Sequence, residues 1–355
     1  MALGITLDSG SPLIGSPVIY RVLASNLSNK PNLTFHRVIV EVSVDCTATG
    51  MAQKKYQFSV PVQQESNSTN VYVDISSALR AYLDIWEYDY QTVGTYGYPV
   101  LTVKVKAWDE FMSNGILTQN YQPYQEGGSQ TWTARYYLLG AFTDHERIVS
   151  GKTKGVTTLT RKPQTGEVVP NAGVYVAPPA YTFAENVWFE GNTAPTAPTT
   201  LVTDLANKTP GQAFTLNGRS IYVDDQGQPF TAFQFVNGYG VLESAFAITL
   251  PEETVVKSVK EYVVNVPMQF NKINRNIAVK STSRHTYKMS SGFVTETWQR
   301  WWQEEFLNTS QAWMLIGSDW IPCSIIPEEE TEGINRAEED MPEVKFTVKL
   351  NIDGI

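Results

Sequence analysis

Residues 233–247 read FQFVNGYGVLESAFA, and residues 291–327 read SGFVTETWQRWWQEEFLNTSQAWMLIGSDWIPCSIIP. The first stretch predicts two strands joined by a tight turn at Asn237, Gly238 and Gly240, because Asn and Gly tolerate a positive φ. We expect a positive φ at one or more of these three residues. The second stretch predicts a short helix followed by two paired strands. Both indicate packing and assembly, and neither contains a plausible catalytic set.

The tryptophan-rich part of the second stretch predicts one helix over Glu296–Leu307, with Thr295 as its N-cap. Trp298, Trp301 and Trp302 recur at helical spacing, so one face of this helix is strongly apolar. We expect that face to be buried against the C-terminal strands. Its role is therefore predicted to be packing.

The remaining sequence predicts a mainly β protein of three parts. Alternating segments such as 35–46 and 99–108 indicate strands with one buried face, and we place a β-sandwich-like N-terminal domain at 1–111. Residues 112–212 lose this periodicity and are predicted to form extended loops and arms. Regular patterns return in 213–355, which predicts a C-terminal β-rich α+β domain with the one Trp-rich helix.

The middle part combines weak patterning with many aromatic residues. Its Gly-Gly pair at 127–128 and its Ala-Pro-Thr-Ala-Pro run at 194–198 are typical of linkers. Such a segment buries too little apolar surface alone to offset about 1–2 kcal/mol of backbone entropy per residue. We therefore expect it to be flexible in a free subunit and ordered in an assembly. The side chains expected at the interface between subunits are Trp132, Tyr136, Tyr137, Trp188 and Phe189.

Composition limits the possible functions. The chain has 355 residues, 42% of them hydrophobic and 12% aromatic, so a large core is expected. A net charge of −9 does not favour nucleic-acid binding, which usually needs a basic surface. Two cysteines, Cys46 and Cys323, make neither a disulfide framework nor a zinc site. With no signal peptide and no long apolar run apparent, we expect a cytoplasmic protein without membrane contact.

No motif in the sequence indicates catalysis or a cofactor. The histidines, His36, His145 and His285, are isolated, and phosphate-loop and dinucleotide motifs are missing. The basic residues Arg161 and Lys162 follow a Gly/Thr-rich stretch and are expected to be solvated. We therefore predict a non-enzymatic protein with no catalytic residue, no cofactor and no metal ligand.

The densest charge is the acidic run within PEEETEGINRAEED at 327–340. A solvated loop is the expected state of such a run, and binding of a divalent cation or of a basic patch on a partner are the alternatives. The DDQGQ segment at 224–228 is interpreted as a turn, because it lacks the alternating acidic ligands of a calcium loop.

The sequence also resembles a known group of proteins. In residues 234–244, Asn237, Gly240 and Glu243 form an aromatic-Asn-Gly-acid pattern. It resembles a pattern in virion structural proteins of tailed phages and prophages of Bacteroidetes, crAss-like phages among them. Like those proteins, the chain continues with a Ser-Gly-aromatic turn, a helix and a Trp/Ile-Pro hairpin over 291–326. The resemblance is specific in the C-terminal part, loose in the N-terminal part and missing in the middle.

This resemblance implies a non-enzymatic structural subunit of a phage tail, neck or baseplate, located in the virion after assembly in the host cytoplasm. We expect a symmetric, ring-like homo-oligomer that contacts other virion structural proteins, with neither nucleic acid nor membrane as a partner. Two alternatives stay open. One is a host-binding adhesin or carbohydrate-binding tail protein that uses exposed Trp and Tyr to bind sugars. The other is a virion-associated hydrolase.

Overall fold

The computed structural model describes residues 4–9, 13–28, 30–46, 53–63, 69–81, 92–98, 100–119, 124–125, 135–138, 159–179, 189–190, 199–267, 272–328 and 342–351. Over these residues the chain is mostly β structure, arranged as a pair of packed sheets, two small sheets and a closed barrel. The mainly β fold class is thereby confirmed, together with the short Trp-rich helix in the C-terminal part. The domain limits at 111 and 212 stay predictions.

The N-terminal part is a sandwich of two sheets. Its strands are β1 (Gly4–Ser9), β2 (Ile19–Leu23), β3 (Leu33–Cys46), β4 (Lys54–Pro61), β5 (Asn70–Asp74), β7 (Val100–Ser113), β8 (Ile116–Gln119), β9 (Tyr124–Gln125), β10 (Arg135–Leu138) and β13 (Phe189–Glu190). One sheet has the order β1-β2-β5, and the other has the order β13-β10-β7-β3-β4, with β8 and β9 also paired to β7. Val38, Val40, Val42 and Val44 of β3 are fully buried between the sheets, because alternate residues of a strand share one face.

A single helical turn, α1 (Ser76–Arg80), closes one end of this sandwich. The Asp74 carboxylate accepts a hydrogen bond from the Ser76 backbone N–H at 2.9 Å, which satisfies one of the donors at the start of the helix. Ile75 and Leu79 are fully buried in the sandwich core. The continuation of this helix that the sequence pattern suggests, through 86, lies outside the described residues.

Two small three-stranded sheets are built from strands within residues 167–223 and from one strand within residues 94–97. Their strands are β6 (Gly94–Gly97), β11 (Glu167–Val169), β12 (Val174–Ala177), β14 (Thr199–Asp204), β15 (Ala213–Leu216) and β16 (Arg219–Val223). The sheet orders are β12-β14-β6 and β11-β16-β15, and β11 pairs with β16 in parallel. The described part of 112–212 is thus more regular than the sequence suggests. The strands that lie wholly within 112–212 have only two to six residues each. These are too few positions to produce a clear alternation of apolar and polar residues.

The C-terminal part is a closed barrel of six strands. They are β17 (Phe230–Val236), β18 (Leu242–Pro267), β19 (Lys272–Phe293), β20 (Ala312–Ile316), β21 (Asp319–Pro327) and β22 (Glu343–Leu350). The order around the barrel is β17-β18-β19-β22-β21-β20. Inward-facing side chains of all six strands form one core with the aromatic face of the helix that lies between β19 and β20.

That helix has two parts, α2 (Glu296–Trp301) and a π-helical turn (Trp302–Phe306), where the sequence predicts one α-helix. The Leu307 N–H donates to the Trp302 carbonyl, five residues earlier, at 2.9 Å. This wider turn lets two aromatic rings meet the same strand. Trp302 stacks on Phe346 with ring centroids 5.8 Å apart, and Phe306 meets Phe346 edge-on at 5.3 Å.

Strands β18 and β19 are much longer than the barrel requires. Strand β17 pairs with β18 only as far as Ile248, and β22 pairs with β19 only from Thr286. Beyond the barrel, residues 253–267 pair only with β19 and residues 272–285 pair only with β18 among the described residues, and we call this two-stranded extension the ribbon. At about 3.3 Å per residue, the ribbon is roughly 45 Å long.

Candidate functional site

The turn at 237–241 joins the sandwich to the barrel. The strands on either side of it, β17 and β18, are barrel strands. Tyr239 and Val241 of the turn are nevertheless buried in the sandwich core, together with Leu159. The hydroxyl of Tyr98, in the N-terminal part, donates a hydrogen bond to the Tyr239 carbonyl at 2.9 Å. One short turn therefore contacts both cores.

The side chain of Asn237 holds this turn in place. Its Oδ1 accepts hydrogen bonds from the backbone N–H groups of Tyr239 at 3.0 Å and Val241 at 3.1 Å. Its Nδ2 donates to the Leu159 carbonyl and to Oε2 of Glu243, both at 2.9 Å. Each donor and acceptor of the buried amide is used, so any other residue here would leave some of these groups unpaired.

The two glycines of the turn serve different purposes. Gly240 has a φ of +73°, so the positive φ expected in this turn is found there. Gly238, which has no side chain, instead leaves room for Arg161 and Glu305 to approach the backbone of the turn. Its N–H donates to Glu305 at 2.8 Å, and a Cβ added to it would lie 2.1 Å from Nη1 of Arg161. Arg161 pairs with Glu305 at 2.5 Å and stacks over the Tyr239 ring at 4.0 Å.

Beside the turn lies a buried ion network of Lys162, Glu167, Arg219 and Glu243, whose side chains are 0–6% exposed. The Lys162 ammonium contacts Oε1 of Glu167, donates to the Ser244 carbonyl at 2.6 Å and lies 3.9 Å from Oε1 of Glu243. Arg219 donates to Oε2 of Glu167 at 2.8 Å. The network thus ties the segment around 162–167 to β16 and β18.

The expectation that Arg161 and Lys162 are solvated is wrong. Arg161 contacts the turn and forms an ion pair with Glu305. The Lys162 ammonium also lies 5.0 Å from the Trp301 ring centroid. The local sequence looks like a loop, but the carboxylates that bury these cations arrive from distant strands and from the helix. Local composition contains no signal for such partners.

Burial shifts the ionisation of this network. Burial lowers the pKa of Lys162 from its ordinary value, and the nearby Glu167 carboxylate opposes that shift. Burial also raises the pKa of Glu243, against the opposing effect of Lys162. The pKa of the Tyr175 phenol, which donates to Glu167 at 2.8 Å, is raised well above its usual range for the same reason. All three groups are pushed toward their neutral forms, as expected in a water-poor site.

A cavity of about 400 Å³ lies beside this network, between the barrel rim, helix α2 and β11. Its aromatic lining consists of Phe230, Phe246, Phe293, Trp298, Trp301 and Trp302, and its carboxylates are Glu167, Asp224 and Glu343. The Trp298 indole N–H donates to the Thr165 carbonyl at 2.8 Å. The Trp301 indole N–H is buried and has no hydrogen-bond partner among the described residues.

The three tryptophans singled out by the sequence are buried here, with 3–6% of their surfaces exposed. The expected interface residues lie elsewhere. Tyr136 and Tyr137 are on β10, and Tyr136 pairs with Phe189 of β13. Trp132 and Trp188 lie outside the described residues, as does most of the acidic run at 328–340.

One histidine has a buried partner that the sequence did not indicate. His36 Nε2 lies 2.9 Å from Oδ1 of Asp109, and both residues are buried in the N-terminal sheet. Asp109 also accepts a hydrogen bond from the Ser25 N–H at 3.3 Å. Among the described residues, no group of three potential metal ligands comes together.

Sequence reasoning found the turn and the helix of this site but missed Lys162, Glu167 and Arg219. The only signal for the network was Glu243, which belongs to the aromatic-Asn-Gly-acid pattern of residues 234–244. No protein-family model, no curated protein and no solved structure matches the chain. Within the described ranges, no helix has the length and apolar character needed to cross a membrane.

Proposed function

We propose that the protein is a non-enzymatic structural subunit of a phage tail, neck or baseplate, which assembles into a symmetric homo-oligomer through its β domains and interlocking loops. The observation that carries the proposal is the role of the residues behind the sequence resemblance. Asn237 and Glu243 are hydrogen-bonded to each other and to Leu159 and Thr160, and Gly240 supplies the positive φ of the turn that joins the sandwich to the barrel. Residues that served a substrate would present polar atoms to a cleft instead.

The junction also supports a mechanical role. A virion subunit has to transmit contacts from one neighbour to the next without hinging between its own parts. Here the turn at 237–241 inserts into one core while its flanking strands belong to the other, and Arg161 and Glu305 clamp it from the side. Domains joined by small polar interfaces usually move relative to each other, and this interlocked turn favours a rigid subunit.

As such a subunit, the protein would reside in the virion after assembly in the host cytoplasm. Its partners would be further copies of the chain and other virion structural proteins. The proposal requires no cofactor, nucleic acid or membrane.

Native mass spectrometry and electron-microscope imaging of the purified chain test this proposal. We expect closed particles with cyclic symmetry, because heterologous contacts that close produce rings. A protein that stays monomeric at every concentration, alone and with lysate from phage-infected cells, would contradict it.

The cavity supports a second candidate, a carbohydrate-binding tail protein. Its aromatic lining offers apolar surface for a sugar, and its carboxylates offer acceptors for hydroxyl groups. Glycan-array binding followed by calorimetry tests it. Asp224→Asn removes a charged acceptor from the lining, so affinity should fall roughly tenfold, while Asp319→Asn, outside the cavity lining, should not change it. Failure to bind any glycan would exclude this candidate.

A further inference from the structure

We propose that the ribbon of β18 and β19 is an arm that docks on the acidic body of a second copy of this chain. The inference rests on the proposed function, because it names the partner surface through which the homo-oligomer forms. Three observations support it: the unpaired strand edges, the distribution of apolar residues along the ribbon, and its charge.

The first observation is that no other described strand pairs with the ribbon. From 253 to 267 and from 272 to 285, the backbone pairs only across the hairpin among the described residues. Each strand therefore presents an outer edge of N–H and C=O groups, which is a template for pairing with another chain. An isolated two-stranded hairpin is marginally stable at best in water, so a ribbon of this length requires a partner.

The second observation is an apolar face on the distal half of the ribbon. Directly paired residues lie on the same face, and the pairs Tyr262–Ile277, Val264–Arg275 and Val266–Ile273 alternate with Val263–Asn276 and Asn265–Asn274. One face thus has five apolar residues in six positions and the other is rich in asparagine. No other described strand pairs with the ribbon, so a second layer on this face would come from another molecule.

The third observation is charge, which identifies the partner. Between 253 and 285 there are six Lys or Arg residues and two Glu residues, a net charge of +4. Since the whole chain carries −9, the remainder carries −13. A basic arm and an acidic body in one chain are complementary between copies, and such complementarity steers association. Two ribbons would repel each other, so the body of a neighbour is the favoured partner.

The first test removes the arm. Replacing residues 258–282 with an Asn-Gly turn keeps the barrel strands and closes the shortened hairpin with a favourable turn. We expect an unfolding midpoint equal to that of the wild type and loss of the oligomer in native mass spectrometry. A shortened protein that assembles normally would overturn the proposal.

The second test reverses charge in the intact chain. Lys257→Glu with Lys260→Glu should weaken association at least about tenfold, a change of about 1.4 kcal/mol. The matched control is Lys54→Glu with Lys55→Glu, an identical charge change on exposed residues of β4. Association of the wild type should also weaken as salt is raised, because salt screens exposed charges. Equal effects of the two double variants would show that charge on the ribbon has no special role.

The third test locates the contact. A photo-crosslinking amino acid at Val264 of the full chain should attach to the sandwich or barrel of a second copy, identified by mass spectrometry. Crosslinks confined to the same chain would contradict the inference. The two proposals fail separately: rings that persist without the ribbon refute the arm alone, whereas ribbon-dependent dimers that never form rings refute the virion role alone.

Discussion

The junction at 237–241 and the ribbon of β18 and β19 are both connected to strand β18, yet they satisfy their polar groups in opposite ways. At the junction, the buried amide of Asn237 uses every donor and acceptor within its own chain. Along the ribbon, the outer edges of both strands have no partner among the described residues. The junction is paired within the monomer, whereas the inference above assigns the partner of the ribbon to a second copy of the chain.

This difference separates two kinds of stability. The junction contributes to the free energy of unfolding of a single chain, and changes there should be felt at any protein concentration. In its proposed role as an arm, the ribbon contributes to association. Changes there should therefore alter the dissociation constant of the oligomer and not the stability of the monomer. The predictions below test this separation, beginning with the largest expected effect.

Loss of the Glu243 carboxylate should have the largest effect. Glu243→Ala removes the acceptor for Asn237 and Thr160 and leaves Lys162 with one carboxylate fewer in a buried site. We expect a loss of about 3–5 kcal/mol in the free energy of unfolding, measured by denaturant titration. Glu243→Gln keeps an acceptor oxygen and should cost much less. Equal losses in the two variants would show that the charge of Glu243 stabilises the site and that a neutral acceptor oxygen cannot replace it.

A side chain at Gly238 should have the next largest effect. The new Cβ of Gly238→Ala would lie 2.1 Å from Arg161 Nη1, so the Arg161–Glu305 clamp has to move. We expect a loss of about 1–3 kcal/mol, as for other overpacked sites. Gly97→Ala is the control, since its Cβ would meet nothing within 4 Å. Thermal unfolding of both proteins distinguishes them, and a Gly238→Ala protein as stable as the control would contradict the clamp.

Titration of Glu243 should give a smaller, pH-dependent effect. Its pKa in the folded state is raised by burial, so between the ordinary value of 4.5 and that raised value the folded protein binds more protons than the unfolded chain. Stability contributed by this group is therefore present at low pH and lost as pH rises through the window, with a slope of at most about 1.4 kcal/mol per pH unit. The stability difference between wild type and Glu243→Gln, measured against pH, should show this slope. A flat difference would contradict a raised pKa.

Changes in the ribbon should have the smallest effect on the monomer. Val264→Asn places a polar residue on the distal face, far from the barrel pairs in the register. We expect the free energy of unfolding to change by less than about 0.5 kcal/mol, as for surface substitutions, while association weakens. Sedimentation measured alongside unfolding checks both expectations, and a large loss of monomer stability would show that the ribbon is packed within its own chain.

The regions that sequence reasoning described well are those with a long local pattern. The alternating valines of β3 and the helically spaced tryptophans predicted a buried strand face and a buried helix face, and these residues are buried in the structure. Burial of alternate or helically spaced positions leaves a periodic signal that can be read without knowing any partner.

The ion network and the ribbon left no such signal. Lys162 and Glu243 are eighty-one positions apart in the sequence, so the sequence around one residue does not indicate that the other is its neighbour. The sequence pattern indicates two strands here, Leu242–Leu250 and Thr254–Pro267, separated at residues 251–253. The structure continues β18 through this segment with a register shift between Thr249 and Glu253. Alternation of apolar and polar residues predicts that a segment is a strand, but it does not predict over how many residues two strands remain paired.

The register of the ribbon has a consequence for the period before assembly. It places Lys260 directly opposite Lys280, next to the register shift at Glu261. Like charges in directly opposed positions repel, and a bulge twists an edge away from flat stacking. In the proposed arm role, newly made chains would hold many such open edges at once, at risk of forming fibrils. The opposed lysines would then discourage one arm from stacking on another before the arm docks on a neighbouring body.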